Sequence, residues 1–146
     1  MYSLYIHIPF CRQACHYCDF HFSTTLKHKG TMVEALCKEL ELRKREATTP
    51  LQTIYLGGGT PSVLTYAELS AIFATIHQHY KVNEGAEITI EVNPDDFSHS
   101  SGQLSLTQLR ELGINRLSIG VQSFYEEDLR LMNRAHSAVQ AVTFLE

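Results

Sequence analysis

Four short β-rich runs, separated by amphipathic helical stripes, constrain this 146-residue chain more than any other feature. Leu4, Ile6 and Ile8 open the first run, which stops at Pro9; the others are Thr53 to Leu56, Glu87 to Val92 and Arg116 to Gly120. Between them, Val33, Leu36, Cys37 and Leu40 fall at i, i+3, i+4 and i+7, as do Leu69, Ile72, Phe73 and Ile76, while Leu106, Leu109 and Leu112 mark a shorter helix. S/T-x-x-E/Q capping signals stand at Thr31/Glu34, Thr65/Glu68, Ser105/Gln108, Ser123/Glu126 and Ser137/Gln140 and predict five helices. Strict alternation of this kind buries a parallel sheet under helices through right-handed crossovers, so the fold class is α/β. Periodicity alone does not separate a barrel from an open doubly wound sheet. Four strands are too few to close a barrel, whose eight βα units need about 250 residues. A parallel sheet that ends on its fourth strand would also leave an edge unpaired. Residues 1–146 are therefore expected to be the N-terminal part of a longer protein.

Composition narrows the partners. Apolar residues make up 44% and charged residues 19%, with a net charge of −4, as in an ordinary globular protein. Basic residues are dispersed except at Arg43, Lys44 and Arg45, which acids flank, so neither nucleic acid nor an anionic membrane is indicated. No run of about 18 apolar residues exists, and the N-terminus lacks a basic region and a cleavage site, which reads as a cytoplasmic chain without signal peptide or integral membrane segment.

Three of the four cysteines, Cys11, Cys15 and Cys18, crowd into IPFCRQACHYCDF just after the first strand. In a reducing compartment such crowding indicates metal or cluster ligation rather than disulfides. Three thiolates can hold three irons of a [4Fe–4S] cube and leave the fourth open to another ligand, whereas electron-transfer clusters usually take four cysteines. Two alternatives compete. A structural zinc site would need a fourth ligand, for which His7, His16 and His21 are candidates. Cys37 could close a ferredoxin-like cluster, although its place on the apolar stripe with Val33, Leu36 and Leu40 suits a small buried hydrophobe better.

The remaining motifs also fall at strand ends. Gly57-Gly58-Gly59-Thr60-Pro61 follows the second strand, Glu91-Val92-Asn93-Pro94 ends the third, and Ser118 to Ser123 ends the fourth. In α/β folds that edge is where loops converge on a ligand. The glycines permit either a tight turn or close backbone approach to a ligand. Alternation places Glu87, Thr89 and Glu91 opposite the apolar face of Ile88, Ile90 and Val92; that face is either solvated or, in a barrel, the interior, where a carboxylate needs a partner. Ser123 has a sufficient role as an N-cap, and Gln122 has no local role. Arg134 is either a helix C-terminal cation or a ligand contact.

These residues together resemble a known family. The C-x-x-x-C-x-x-C motif with Tyr17, preceded by YIHIPF and followed by YLGGGTPS, EVNP and LSIGVQSF, is similar to the oxygen-independent coproporphyrinogen III oxidase group of radical SAM proteins across essentially the whole chain. The resemblance implies a partial (β/α)6 barrel, of which this chain supplies about four βα units. It implies that Cys11, Cys15 and Cys18 bind a [4Fe–4S] cluster whose open iron takes S-adenosylmethionine (SAM), with Tyr5, Tyr17, Gly58, Gly59, Thr60, Glu91, Gln122 and Arg134 as SAM contacts. It further implies reductive cleavage of SAM to methionine and a 5′-deoxyadenosyl radical, fed by an electron donor such as flavodoxin or ferredoxin. The decarboxylating oxidases carry a further cysteine two residues after the third ligand and a longer N-terminal arm, whereas this chain has Phe20 at that position and begins almost on the first strand. Both departures resemble the heme-chaperone branch, which binds heme and SAM, so heme trafficking is favoured over porphyrinogen oxidation. A non-catalytic metal-binding module is the remaining alternative.

Overall fold

Strands β1 (Tyr2–Ile8), β2 (Leu51–Gly58), β3 (Val82–Val92) and β4 (Arg116–Ile119) form one sheet in the order β1-β2-β3-β4 in the computed structural model, which describes residues 1–97 and 104–146. Every neighbouring pair is parallel, with Tyr5 opposite Tyr55, Tyr55 opposite Thr89, and Glu91 opposite Ser118. Helices α1 (Lys29–Arg43), α2 (Tyr66–His79), α3 (Leu106–Glu111), α4 (Glu126–Leu131) and α5 (Ala138–Leu145) alternate with or follow the strands. This is the expected α/β order with five α-helices among the described residues. The first three strands run longer than expected, because flanking residues such as Leu51 and Val82 also pair, whereas β4 stops at Ile119, one residue before Gly120.

One face of the sheet is apolar. Ile6 and Ile8 of β1, Ile54 and Leu56 of β2, and Ile88, Ile90 and Val92 of β3 are buried with Leu69, Ile72, Phe73 and Ile76 of α2, Val33 and Leu40 of α1, and Leu109 of α3. Each such fully buried side chain contributes about 1.5–3 kcal/mol as an upper estimate. Cys37 is half-buried and packs against this core with Leu36, as a small hydrophobe. The alternate residues Tyr5, His7, Tyr55, Glu91 and Ser118 occupy the other face, and the parallel register puts every strand's carboxyl end on one edge.

Two capping expectations are corrected. Thr31 does not cap α1: a 3-10 turn over Leu26–His28 runs straight into the helix, so His28 stands at the N-cap without a side-chain bond and Thr31 is already helical. Ser123 does not cap α4 either, since Tyr125 occupies that position. Its hydroxyl instead accepts from the Tyr125 N–H at 3.1 Å and donates to Asp128 Oδ2 at 2.7 Å, turning the chain before the helix begins. The boxes at Thr65/Glu68, Ser105/Gln108 and Ser137/Gln140 are fully formed.

Candidate functional site at the carboxyl edge of the sheet

The cysteine loop leaves β1 and lies over the glycine turn that follows β2. Cys11 N–H donates to Ser23 O at 3.0 Å, and Gly59 and Thr60 N–H donate to Ile8 O and Phe10 O at 2.8 Å each. This approach requires glycine at position 59, where a Cβ would stand 2.7 Å from Phe10 O and 3.0 Å from Cys11 Sγ. Gly58 is needed for a different reason: its φ is 114°, and a side chain there would strike the His7 ring. Cys11 is buried, and burial pushes its thiol above the usual range, while the Thr60 hydroxyl bonded to it pulls the other way.

All four cysteines are free thiols. Cys11, Cys15 and Cys18 line one cavity of about 300 Å3 together with Tyr17, Gly58, Gly59, Thr60, Glu91, Gln122 and Arg134. Glu91 has found the partners that a carboxylate on this face needs: Tyr55 Oη donates to Oε1 at 2.7 Å and Gly58 N–H to Oε2 at 3.1 Å. Gln122 adopts the left-handed φ of 65°, uncommon for a residue other than glycine and frequent at binding sites. Arg134 is no mere helix-terminal cation. Its Nη1 donates to Cys15 Sγ at 3.3 Å and Tyr17 Oη at 3.2 Å, and its Nη2 to Asn93 Oδ1 and Gly120 O, both at 2.7 Å. One guanidinium thus ties the cysteine loop to the ends of β3 and β4.

Tyr5 is not among the cavity-lining residues. It is exposed, bonds His7 Nδ1 at 2.9 Å and stacks on Tyr55 at 6.1 Å between ring centroids, and Tyr55 in turn bonds Glu91. Cys37 and the candidate zinc ligands His7, His16 and His21 do not line the cavity either. Among the described residues, no three His, Cys, Asp or Glu side chains converge as single-ion ligands. Three thiols spread around one cavity, beside a glycine turn that leaves them room, fit a multi-iron cluster with an open iron.

Sequence reasoning passed over the anchor of this edge. Asp96, 2% exposed, takes hydrogen bonds from Ser62 Oγ, from Asn93 N–H at 2.6 Å and from Arg12 Nη1 at 3.3 Å, so it joins the residue after Cys11 to the ends of β2 and β3. Burial pushes its carboxyl above the usual range and the Ser62 and Asn93 bonds draw it back. Its place two residues after EVNP was the available signal.

The profile of the Radical SAM superfamily matches residues 5–146. The chain belongs to that superfamily. Radical SAM proteins, as a family, imply a [4Fe–4S] cluster and SAM. The chain is similar to the heme chaperone HemW of Synechocystis sp., with 42% identity over 141 residues, 92% of this chain and 33% of that protein. It is also similar to the oxygen-independent coproporphyrinogen III oxidase of Salmonella typhimurium, with 39% identity over 137 residues, 90% of this chain and 29% of that protein. The solved coproporphyrinogen III oxidase of Escherichia coli superposes with a TM-score of 0.85 at 36% identity, covering 98% of this chain and 33% of that one. The radical SAM chain thus spans about a third of the length of these relatives. The likeness supports a partial (β/α) barrel, of which the open four-stranded sheet is a part.

Proposed function

We propose that Cys11, Cys15 and Cys18 hold a [4Fe–4S] cluster, that SAM binds the open iron, and that the protein serves as a heme chaperone, with residues 1–146 as the N-terminal four βα units of the radical SAM core. The observation that carries this reading is the convergence of three free thiols, the Gly58-Gly59-Thr60 turn, Glu91, Gln122 and Arg134 on one cavity at the carboxyl edge of a parallel sheet. When bound, the cluster supplies an electron to the SAM sulfonium. The chain's own residues do the positioning. The glycine turn admits the ligand's methionine part close to the backbone, Glu91 is held by Tyr55 and Gly58 where it can accept from ribose hydroxyls, and Arg134 and Tyr17 flank Cys15. Tyr5, stacked on Tyr55 behind Glu91, completes the proposed SAM contacts.

Anaerobic reconstitution of the full-length protein is expected to give about four irons per chain and an EPR signal that shifts when SAM is added. A loaded, folded protein whose signal ignores SAM would overturn the reading. Phe20, exposed and lining the cavity, favours the chaperone over the oxidase, because a side chain without a thiol stands where the oxidases carry their extra cysteine. The similarity to the Salmonella oxidase supports the second reading, oxidative decarboxylation of porphyrinogen propionates. Heme binding without coproporphyrinogen turnover is the expected result, and turnover would reverse the choice. Reduction is assigned to a flavodoxin- or ferredoxin-type donor acting in the cytoplasm.

A further inference from the structure

Helices α3 and α4 are both six residues long and end in the same backbone motif. After α3, Gly113 at φ 86° donates to Arg110 O at 2.9 Å and Ile114 N–H reaches Leu109 O at 3.1 Å. After α4, Asn133 at φ 56° donates to Arg130 O at 3.0 Å and Arg134 N–H reaches Leu129 O at 2.9 Å. Glycine serves this left-handed position at least conformational cost, and asparagine tolerates it less well. The backbone therefore accounts for Gly113 but not for the choice of asparagine at 133.

The side chain accounts for it. Asn133 Nδ2 donates to Ala14 O at 2.7 Å, and Asn133 Oδ1 accepts from Gln13 Nε2 at 3.1 Å, the same nitrogen that donates to Asn133 O at 2.8 Å. His16 extends the contact, with its N–H donating to Met132 O and its Nδ1 bonded to Leu131 O, each at 3.0 Å. Gln13, Ala14 and His16 lie between the first and last cysteines of the motif.

We propose that Asn133 is a positioning residue that clasps the cysteine loop from the turn after α4 and holds it in cluster-receiving shape before the cluster arrives. The proposal rests on the assignment of Cys11, Cys15 and Cys18 as cluster ligands. Asn133 acts through Gln13 and the Ala14 backbone, not on the cluster itself. A loop that must present three thiolates loses conformational entropy on ordering, and hydrogen bonds made in the apoprotein offset that loss in advance.

The test is Asn133→Gly in the full-length protein, which installs the residue that α3 already uses and so preserves the turn. Amide exchange at residues 12–18 of the apoprotein is expected to accelerate about tenfold while α4 and the melting temperature are unchanged. Cluster loss to an iron chelator is expected to accelerate by about the same factor. Gln13→Ala removes both Nε2 bonds but leaves Asn133 Nδ2 on Ala14 O, while Asn133→Gly leaves Gln13 on the residue-133 carbonyl, so each should loosen the loop and the double variant should loosen it more than either. If the wild type holds a cluster and Asn133→Gly matches it in loop exchange and cluster retention, the clasp is overturned and the cysteine assignment stands. If the wild type takes no cluster while Asn133→Gly still loosens the loop, the cysteine assignment falls and the cluster-receiving role falls with it, leaving a clasp that only orders the loop. A loss of protection throughout the protein in Asn133→Gly would also overturn the proposal, since the turn itself would then have needed asparagine.

Discussion

At Gly59 the backbone passes so close to Phe10 O and Cys11 Sγ that a methyl group has no room. Gly59→Ala is expected to cost about 1–3 kcal/mol of stability and to lower iron retention after reconstitution, as denaturant unfolding and iron assay would show; wild-type values in both would refute the packing argument. His136 poses a question of charge. It is buried, 3% exposed, with Nε2 bonded to Val121 O at 3.0 Å. Burial pushes its pKa down; the Val121 bond, Asp95 and Glu126 oppose that, and Arg134 adds to it. The folded protein thus keeps His136 neutral while the unfolded chain takes up a proton below about pH 6.5. The stability that neutral His136 contributes is present above that pH and is lost as pH falls toward the depressed folded pKa. The melting temperature is expected to fall more steeply below pH 6.5 in the wild type than in His136→Gln, and parallel curves would exclude His136 as the cause.

Among elements, helix starts separate pattern from realised structure. Ser105 and Ser137 accept from Gln108 and Gln140 N–H at 3.1 and 3.2 Å, and each glutamine side chain returns a bond to the cap N–H. Thr31 and Glu34 carry the same pattern inside α1, three and six residues past its N-cap at His28. Ser105→Ala and Ser137→Ala are expected to cost about 1 kcal/mol each, and Thr31→Ala no more than about 0.5 kcal/mol in either direction, all read from denaturant unfolding. A cost at Thr31 equal to that at Ser105 would contradict the assigned start of α1. The sequence pattern could not make this distinction, because the competing start lay in the preceding turn over Leu26–His28, whose residues carry no cap signal.

For the molecule as a whole, the sheet decides how the site is completed. Among the described residues β1 and β4 each pair on one side only, and the cavity is walled by four strand ends. An isolated 146-residue chain is expected to self-associate with rising concentration through these edges and to bind SAM at least about tenfold more weakly than a protein of the relatives' full length, in which the further strands proposed for the barrel would add to the cavity wall. Sedimentation and calorimetry check both, and a monodisperse 146-residue chain with full-length affinity would defeat the expectation.

The order of β and α units, the parallel sheet, the clustering of motifs at one edge and the three candidate cluster ligands were legible from the sequence, because hydrophobic periodicity and short-range spacing are local properties. The partners of Glu91 were not, since Tyr55 and Gly58 meet it only through the β2–β3 register. Nor was the even choice at Arg134, which depended on the turn after α4 folding back to Cys15 and Asn93. Asp96 and Asn133 gave little local sign of their roles, because Asp96 joins its neighbour Asn93 to Ser62 and Arg12, 34 and 84 positions away, and Asn133 bonds Gln13 and Ala14 across the chain. Chemistry was written along the chain; which side chain holds which was decided only when four strand ends, each too short to build a site alone, were brought side by side.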